Sequence, residues 1–368
     1  MNKHIKICFV STNIDPSNGS GRFASSMIRN LETHFGVQSI VLIERGEQEL
    51  LQNTKAVLFK NNLCKFLVNP IIIAWYARKA SVVHVFDGWP LLPMVYFSSF
   101  LSRRPYTCSL YATYAVRPLY HPIKKYIARL MYAKSSLNAS ISNITASKLR
   151  QAWSGINTQV ILQGIQYSAY QSNILPRKIP STYVLTVATI KRRKGYLQSI
   201  QTFEILAKKF PQLVYVIVGR KDDSAYCQSV IAEIARLNLG NRIVWLENQT
   251  EAELISLYTY AEVFFLPSLS IDSRDYFEGF GSVYLEAEAC GTPVVTSRGG
   301  GQEDALVDGE TGILVTEGDI QGYAQALSLF LADPVTRKTF ATRARQFAQK
   351  MDWSNRLVEY YSCYEKII

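Results

Sequence analysis

The chain predicts an α/β protein made of two doubly wound domains, each a parallel sheet covered by helices on both faces. Three observations carry this. Short continuous apolar runs alternate with helix-periodic stretches, the pattern of strands buried on both sides. The alternation occurs in two sets, one in each half of the chain. And 368 residues exceed what a single core usually organises, so two domains are expected.

The first strand is expected at Ile5–Val10, a β-branched apolar run. The N-terminus has two lysines, Lys3 and Lys6, and then an apolar run, which mimics a secretion signal, but the run is only four residues and no small-residue cleavage site follows. A loop rich in Ser, Asn and Gly leads to a helix over Arg22–Leu31. Val37–Ile43 and Val82–Phe86 are further buried strands. The second half repeats the scheme more clearly. Strands are expected at Tyr183–Val187, Leu213–Val218, Arg242–Leu246, Val263–Leu266 and Val294–Thr296. Helices fall between them, near Tyr196–Lys209, Tyr226–Leu237, Glu251–Ala261 and Ser282–Ala289. The junction is placed in Ser168–Ser181, a polar stretch with Pro176 and Pro180, giving domains over 1–172 and 173–352. The tail adds helices at Gly322–Leu331 and Thr336–Lys350, and a last one, Trp353–Ile367, that is expected to cross back to the first domain. Ligands of doubly wound domains sit at the carboxyl ends of the strands. Two such domains facing each other would enclose one cleft.

Composition excludes some classes. The chain is 48% hydrophobic and 19% charged, with mean hydropathy +0.01, as in soluble globular proteins. The apolar runs Phe66–Ala77 and Trp89–Leu101 are too short for a membrane span and contain prolines. Six cysteines lack CxxC or CxxH spacing, which argues against structural zinc or a disulfide framework and fits a reducing cytosol. The charge is uneven. Residues 1–180 carry 21 Lys+Arg against 6 Asp+Glu, or +15, and residues 181–368 carry 19 against 23, or −4. Between Leu50 and Pro180 the only acidic residue is Asp87. The first half therefore suits an anionic partner: nucleic acid, an anionic membrane surface or a phosphorylated substrate.

The most informative segment is EGFGSVYLEAEACGTPVV, Glu278 to Val295. Glu278 and Glu286 stand eight positions apart, so a side chain just before a helix and one two turns in can share a face. The loop Gly279-Phe280-Gly281 offers unpaired amides and a positive dipole end to an anion. Carboxylates beside such a site suit a ligand with both phosphates and hydroxyls, such as a nucleotide-sugar; the alternative is a surface helix with two solvated glutamates. VATIKRRKG, residues 187–195, places four cations, Lys191 to Lys194, between a strand end and a helix. Cations there would neutralise a diphosphate leaving group, although a solvated loop accounts for one or two of them. In SRGGGQED, residues 297–304, Gly299 to Gly301 let the backbone approach a ligand, and Glu303 suits a helix N-terminus. The first-half loop SNGSGRF holds Gly19 and Gly21 before a helix. It is not GxGxxG, so a dinucleotide fingerprint is unsupported; a phosphate approach and a simple turn remain equal readings.

These segments together resemble the retaining glycosyltransferases of family 4, the group 1 glycosyl transferases, which have the GT-B fold of two Rossmann-like domains facing across a cleft. The resemblance rests on the E-x7-E pair, RRKG, FLPS, and GGGQE followed by DGETGILV, in order over about residues 183–350. The first half agrees more weakly, through NGSGRF, VVHVFDG and LYATYAVRPLY. The resemblance implies that Glu278 contacts hydroxyls of the donor sugar and Glu286 the ribose. It implies that amides of Gly279, Phe280 and Gly281 line the sugar and phosphate pocket, and that Lys194 with Arg193 binds the diphosphate. Gly21 would approach the phosphates as the cleft closes. No metal cofactor is implied, and the anomeric configuration is retained. Two positions depart from the family pattern. Thr189 stands where many relatives have an arginine, with Arg192 or Arg193 as the replacement charge. Tyr111 stands where a histidine is common; its hydroxyl still hydrogen-bonds a sugar.

The resemblance assigns the acceptor to the first domain. Its charge then implies an anionic acceptor or bilayer. Ile123, Tyr126, Ile127, Leu130 and Met131 form an apolar stripe, with Lys124, Lys125, Arg129 and Lys134 largely off it. The stripe faces either the core or a membrane. The expected activity is transfer of a hexose from a UDP- or GDP-sugar to a saccharide acceptor, lipid-linked, at the inner face of the cell membrane in surface polysaccharide assembly. A non-catalytic nucleotide-sugar or glycan binding protein is the alternative. Nucleic-acid binding has the charge in its favour but no recognisable module.

Overall fold

In the computed structural model the described residues are 5–16, 18–60, 64–86, 88–172, 174–176, 178–179, 182–221, 224–270 and 277–368. Asp87, Pro180, Ser181 and residues 271–276 of the FLPS-to-EGFG segment lie outside them. The chain divides into two compact units, Met1–Gly164 with Trp353–Ile368, and Ile165–Asp352. Residues 165–172, expected in the first domain, thus lie in the second. The Tyr167 amide donates to the Asp352 carboxylate at 2.9 Å, and Gln171 Nε2 donates to the Ala289 carbonyl at 2.9 Å. These bonds hold the segment to the second unit.

The first unit runs β1 (Lys6–Val10), α1 (Gly19–Phe35), β2 (Gln38–Glu44), β3 (Thr54–Leu58), α2 (Cys64–Ala77), β4 (Val82–Phe86), α3 (Leu91–Ser102) and β5 (Tyr106–Leu110). It continues with α4 (Ala112–Tyr120), α5 (Lys124–Lys134), β6 (Leu137–Ser140), α6 (Asn143–Ala152) and β7 (Gln159–Val160). Its sheet is parallel, in the order β3-β2-β1-β4-β5-β6-β7, with Cys8 of β1 opposite Ile40 of β2 and Val83 of β4. α1 begins where the Asn18 side chain accepts the Gly21 amide, and ends at Gly36 in the left-handed region. The C-terminal helix, Trp353–Ile367, packs on α1 through Phe23 against Trp353 and Phe35 against Tyr361.

β5 and β6 escaped the sequence pattern because they are buried yet polar: YTCSL and LNAS. Their hydroxyls bond internally, and Asn138 Nδ2 donates to the Tyr132 and Asn157 carbonyls at 2.9 and 3.0 Å. His84, fully buried on β4, bonds Thr107 at 2.8 Å, Ser109 at 3.0 Å and Tyr364 of the C-terminal helix at 2.9 Å. Ser109 in turn bonds Tyr360 at 2.9 Å. Burial lowers the His84 pKa to about 3, so the ring is neutral and serves as a hydrogen-bonding hub. α2 and α3 escaped because they are apolar nearly all round, which erases helical periodicity.

The second unit runs β8 (Tyr183–Val187), α7 (Tyr196–Lys209), β9 (Val214–Val218), α8 (Ala225–Arg236), β10 (Ile243–Leu246), α9 (Glu251–Tyr260) and β11 (Val263–Leu266). It ends with α10 (Ser282–Ala289), β12 (Val294–Ser297), β13 (Gly312–Val315), α11 (Ile320–Ala332) and α12 (Pro334–Lys350). Its parallel sheet has the order β10-β9-β8-β11-β12-β13. The chain reverses its direction of winding between β8 and β11, which makes that crevice the place for a ligand. Tyr196, Phe203, Tyr215, Phe265 and Tyr323 fill the core beneath it. Cys8, Cys108, Cys227, Cys290 and Cys363 are free thiols. Among the described residues no helix is long and apolar enough to cross a membrane.

Candidate active site

The basic turn leaves β8 at Val187 and enters a short 3-10 turn, Arg192–Lys194. Gly195 closes it at φ 67°. A Cβ on Gly195 would lie 2.0 Å from the Pro267 carbonyl oxygen, so only glycine lets this turn rest on the end of β11. The Leu269 amide donates to the Arg193 carbonyl at 2.7 Å and straps the two segments together. Sequence then decides direction. Lys191 and Arg192 point into solvent, whereas Lys194 is buried and Arg193 half-buried.

Both inward cations converge on one carboxylate oxygen. Arg193 Nη1 lies 2.6 Å and Lys194 Nζ 2.5 Å from Glu278 Oε2. Burial pushes the Glu278 carboxyl up, but the charges of Lys194 and Arg193 outweigh it and hold the group below the usual carboxylate range. Burial lowers the Lys194 pKa, and Glu278 offsets this only in part because Arg193 repels the same ammonium. Among the described residues, two cations thus converge on one carboxylate at the carboxyl end of β8. Cations in a low-dielectric setting attract an anion strongly.

The loop after Glu278 is backed by the glycine run. The Gly301 amide donates to the Glu278 carbonyl at 2.9 Å, and a Cβ on Gly301 would lie 2.2 Å from the Gly279 carbonyl oxygen. Close backbone contact thus explains GGG here without any ligand. Glu303 accepts the Gly299 amide at 2.7 Å and fixes the same loop. Phe280 is fully buried. Gly281 is the N-cap of α10 and brings no side-chain cap.

Glu286, on α10, does not join the cation cluster. Tyr258 of α9 donates to Glu286 Oε2 at 3.1 Å. Glu288 is also buried; Thr311 donates to it at 2.5 Å, and burial raises its pKa well above the usual range. Tyr258 and Tyr284 are site-supporting residues that motif spacing did not single out. The Tyr284 hydroxyl bonds Ser268 at 2.7 Å and donates to the Leu266 carbonyl at 3.2 Å, bracing the end of β11. Their only sequence signal is aromatic residues at helical positions, which is also the signal of any core.

Thr189 is exposed in the loop between β8 and the basic turn. Gly21 and Tyr111 belong to the first unit. There the Gly21 amide is taken by Asn18 Oδ1 at 2.8 Å. Tyr111 follows β5 at the N-cap position of α4, its ring 5.9 Å from that of Phe23 on α1. Among the described residues no group of three His, Cys, Asp or Glu is arranged to hold a metal ion.

Two parallel-sheet, Rossmann-like units with a cation-lined crevice in the second define an α/β protein of the GT-B class. Solved structures share this fold. The Anabaena HepE structure with UDP and glucose superposes with a TM-score of 0.77 at 21% identity, over 98% of this chain and 99% of that one. A glycosyltransferase from Rickettsia africae superposes with a TM-score of 0.80 at 18% identity, over 100% and 99%. Residues 171–347 match the family described as Glycosyl transferases group 1, and this segment belongs to it. A D-inositol 3-phosphate glycosyltransferase of Corynebacterium urealyticum is 33% identical over 182 residues, 48% of this chain and 41% of that protein. A GDP-mannose-dependent alpha-(1-6)-phosphatidylinositol monomannoside mannosyltransferase of Mycolicibacterium smegmatis is 29% identical over 174 residues, 47% and 45%. The match spans less than half the length of each of these two relatives.

Proposed function

We propose that this protein is a metal-independent, retaining glycosyltransferase that moves a hexose from a nucleotide-diphosphate sugar to a saccharide acceptor. The observation that carries the reading is the buried pair Arg193 and Lys194 on the single carboxylate of Glu278. Two inward-turned cations at the carboxyl end of a strand suit a diphosphate. The bond from the anomeric carbon to the diphosphate breaks, and the same carbon bonds an acceptor hydroxyl oxygen. The acceptor proton passes to the departing diphosphate, whose charge Arg193 and Lys194 absorb. Glu278 grips hydroxyls of the sugar, Glu286 holds the ribose, and amides of Gly279, Phe280 and Gly281 line the donor pocket. Thr189 adds to the donor site in the second unit, and Gly21 and Tyr111 are the donor-binding candidates of the first unit.

The donor is a UDP- or GDP-sugar: one solved neighbour holds UDP and glucose, and one relative is named for GDP-mannose. Two relatives carry names of phosphate-bearing acceptors, inositol 3-phosphate and a phosphatidylinositol mannoside. An anionic, lipid-linked saccharide, used in surface polysaccharide assembly at the inner face of the cell membrane, likewise suits the +15 charge of residues 1–180. The test is release of free nucleotide from a panel of UDP- and GDP-hexoses. One donor should be turned over, equally well in EDTA. Tight donor binding with no release, with or without saccharide acceptors, would make the protein a binding module and sink the transferase reading.

A further inference from the structure

The outer face of α2, α3 and α5 is apolar where a soluble surface would be polar. On α2, Leu67, Ile71 and Trp75 recur at i, i+4 and i+8 and are exposed, Leu67 by 73% and Ile71 by 62%. α3 packs beside it and exposes Phe97, Phe100 and Leu101. α5 packs on α3 and exposes Ile123, Tyr126, Ile127 and Leu130. The stripe that could have faced the core is therefore turned outward, apart from Met131, which is buried. The face of α5 turned to the protein is Ala128, Met131 and Tyr132. Three neighbouring helices thus bury one side and present large apolar side chains on the other. Contiguous apolar surface of this extent marks an interaction site.

The charges around it identify the partner. Arg78, Lys79, Arg103, Arg104 and Lys134 are exposed at the ends of these helices. Arg78 donates to the Leu101 carbonyl and Arg104 to the Arg78 carbonyl, which gathers guanidiniums where α2 and α3 end. Lys79 Nζ lies 3.9 Å from the Trp75 ring centre and Lys125 Nζ 4.9 Å from that of Tyr126. Aromatic rings paired with lysines beside fully apolar residues suit the headgroup boundary of a bilayer. Leu67, Ile71 and Ile123 would bring nothing to a phosphodiester backbone, which disfavours nucleic acid. With a single acidic residue between Leu50 and Pro180, the rim complements an anionic surface.

We infer that α2, α3 and α5 form a docking face that inserts its apolar residues into the boundary layer of an anionic bilayer, with the arginine and lysine rim on the headgroups. The inference gives the proposed lipid-linked acceptor a route to the enzyme and rests on that reading for its purpose. Binding itself is measured without donor or acceptor, so the two stand or fall separately. The experiment is co-sedimentation of the full chain with vesicles of phosphatidylcholine and phosphatidylglycerol, and with phosphatidylcholine alone. Wild type should bind the anionic vesicles and keep part of that binding in high salt, because apolar insertion is not screened. The variants Leu67→Glu/Ile71→Glu and Phe97→Glu/Phe100→Glu should each lose binding by ~10-fold or more. Both change exposed side chains, and both should release nucleotide from donor as wild type does, which checks folding. Lys194→Ala should bind vesicles normally. Wild-type binding no greater than in the absence of vesicles, binding abolished by salt alone, or undiminished binding by both glutamate variants would overturn the inference. So would a wild-type dimer in solution that the glutamates dissociate, since the face would then belong to a second copy of this chain.

Discussion

Each unit buries a polar cluster, the first within its sheet and the second at the carboxyl end of its sheet, and the two clusters are built to opposite ends. In the first unit His84 meets the hydroxyls of Thr107, Ser109 and Tyr364, and its ring stays uncharged. In the second unit Arg193 and Lys194 meet the carboxylate of Glu278 and the charges persist. A neutral cluster costs little to bury once every hydrogen bond is made. A charged one costs several kcal/mol even when paired. The first cluster ties the C-terminal helix to the sheet. The second ties nothing that hydrophobic packing could not tie more cheaply. Its retention of charge is what points to a ligand.

The largest effect should come from breaking the charged cluster. Glu278→Ala takes this carboxylate from the buried Lys194 and the half-buried Arg193, which is expected to cost ~3–5 kcal/mol of stability. On the proposed role it should also lower turnover by ~100-fold or more. Adding Lys194→Met removes one of the stranded charges. The double variant should recover part of the stability, read by urea unfolding, and none of the turnover. Recovery of turnover along with stability would mean that the cluster serves the fold alone, and the contrast between the units would collapse.

The neutral cluster gives a smaller effect with a pH signature. His84→Phe strands the hydroxyls around it and should cost roughly 1–3 kcal/mol near neutral pH. The folded pKa of about 3 lies below the ordinary 6.5. The unfolded chain therefore binds the proton more readily, and the contribution of neutral His84 is complete above 6.5 and lost as pH falls toward 3. Wild type should lose about 1.4 kcal/mol per pH unit through that window from this group. The variant lacks this loss, so the stability gap between the two should narrow by about 2 kcal/mol between pH 6.5 and 5. A gap that does not change with pH would mean that the ring is not held neutral.

The two units also differ in how well the sequence foretells them. The second unit's strands at Tyr183–Val187 and Val263–Leu266 and its helices at Tyr196–Lys209 and Ser282–Ala289 match their expected bounds. There apolar strands and amphipathic helices carry strong periodic signals. In the first unit β5 and β6 hide because their buried residues are Thr, Ser and Asn, which pattern reading assigns to loops. The cations of KRRK were legible as a group, but not which two turn inward. That choice depends on Gly195 resting against Pro267, a contact between segments about seventy residues apart in sequence. The eightfold spacing of Glu278 and Glu286 suggested one shared face. The structure instead gives them separate partners, because Glu278 lies in the loop before α10 and Glu286 within the helix, opposite α9.

Glu286 and Tyr258 form a third arrangement beside the two clusters: a carboxyl group that accepts from a tyrosine hydroxyl. The tyrosine hydroxyl is buried and donates to Glu286 Oε2 at 3.1 Å, so it sets the carboxylate's position without adding charge. Tyr258→Phe deletes one oxygen and keeps the ring against Phe264. The carboxylate then loses one hydrogen bond, worth about 1 kcal/mol. If Glu286 holds the ribose, as proposed, the loss falls on ground-state and transition-state binding alike. KM for the donor should then rise by about fivefold with kcat nearly unchanged. The single-site loss should also vanish when measured in a Glu286→Ala background, because the two changes remove the same contact. An equal fall in kcat and kcat/KM would place Glu286 at the reacting carbon rather than the ribose. The second unit would then hold two chemically active carboxylates, one charged by its neighbours and one merely positioned by them.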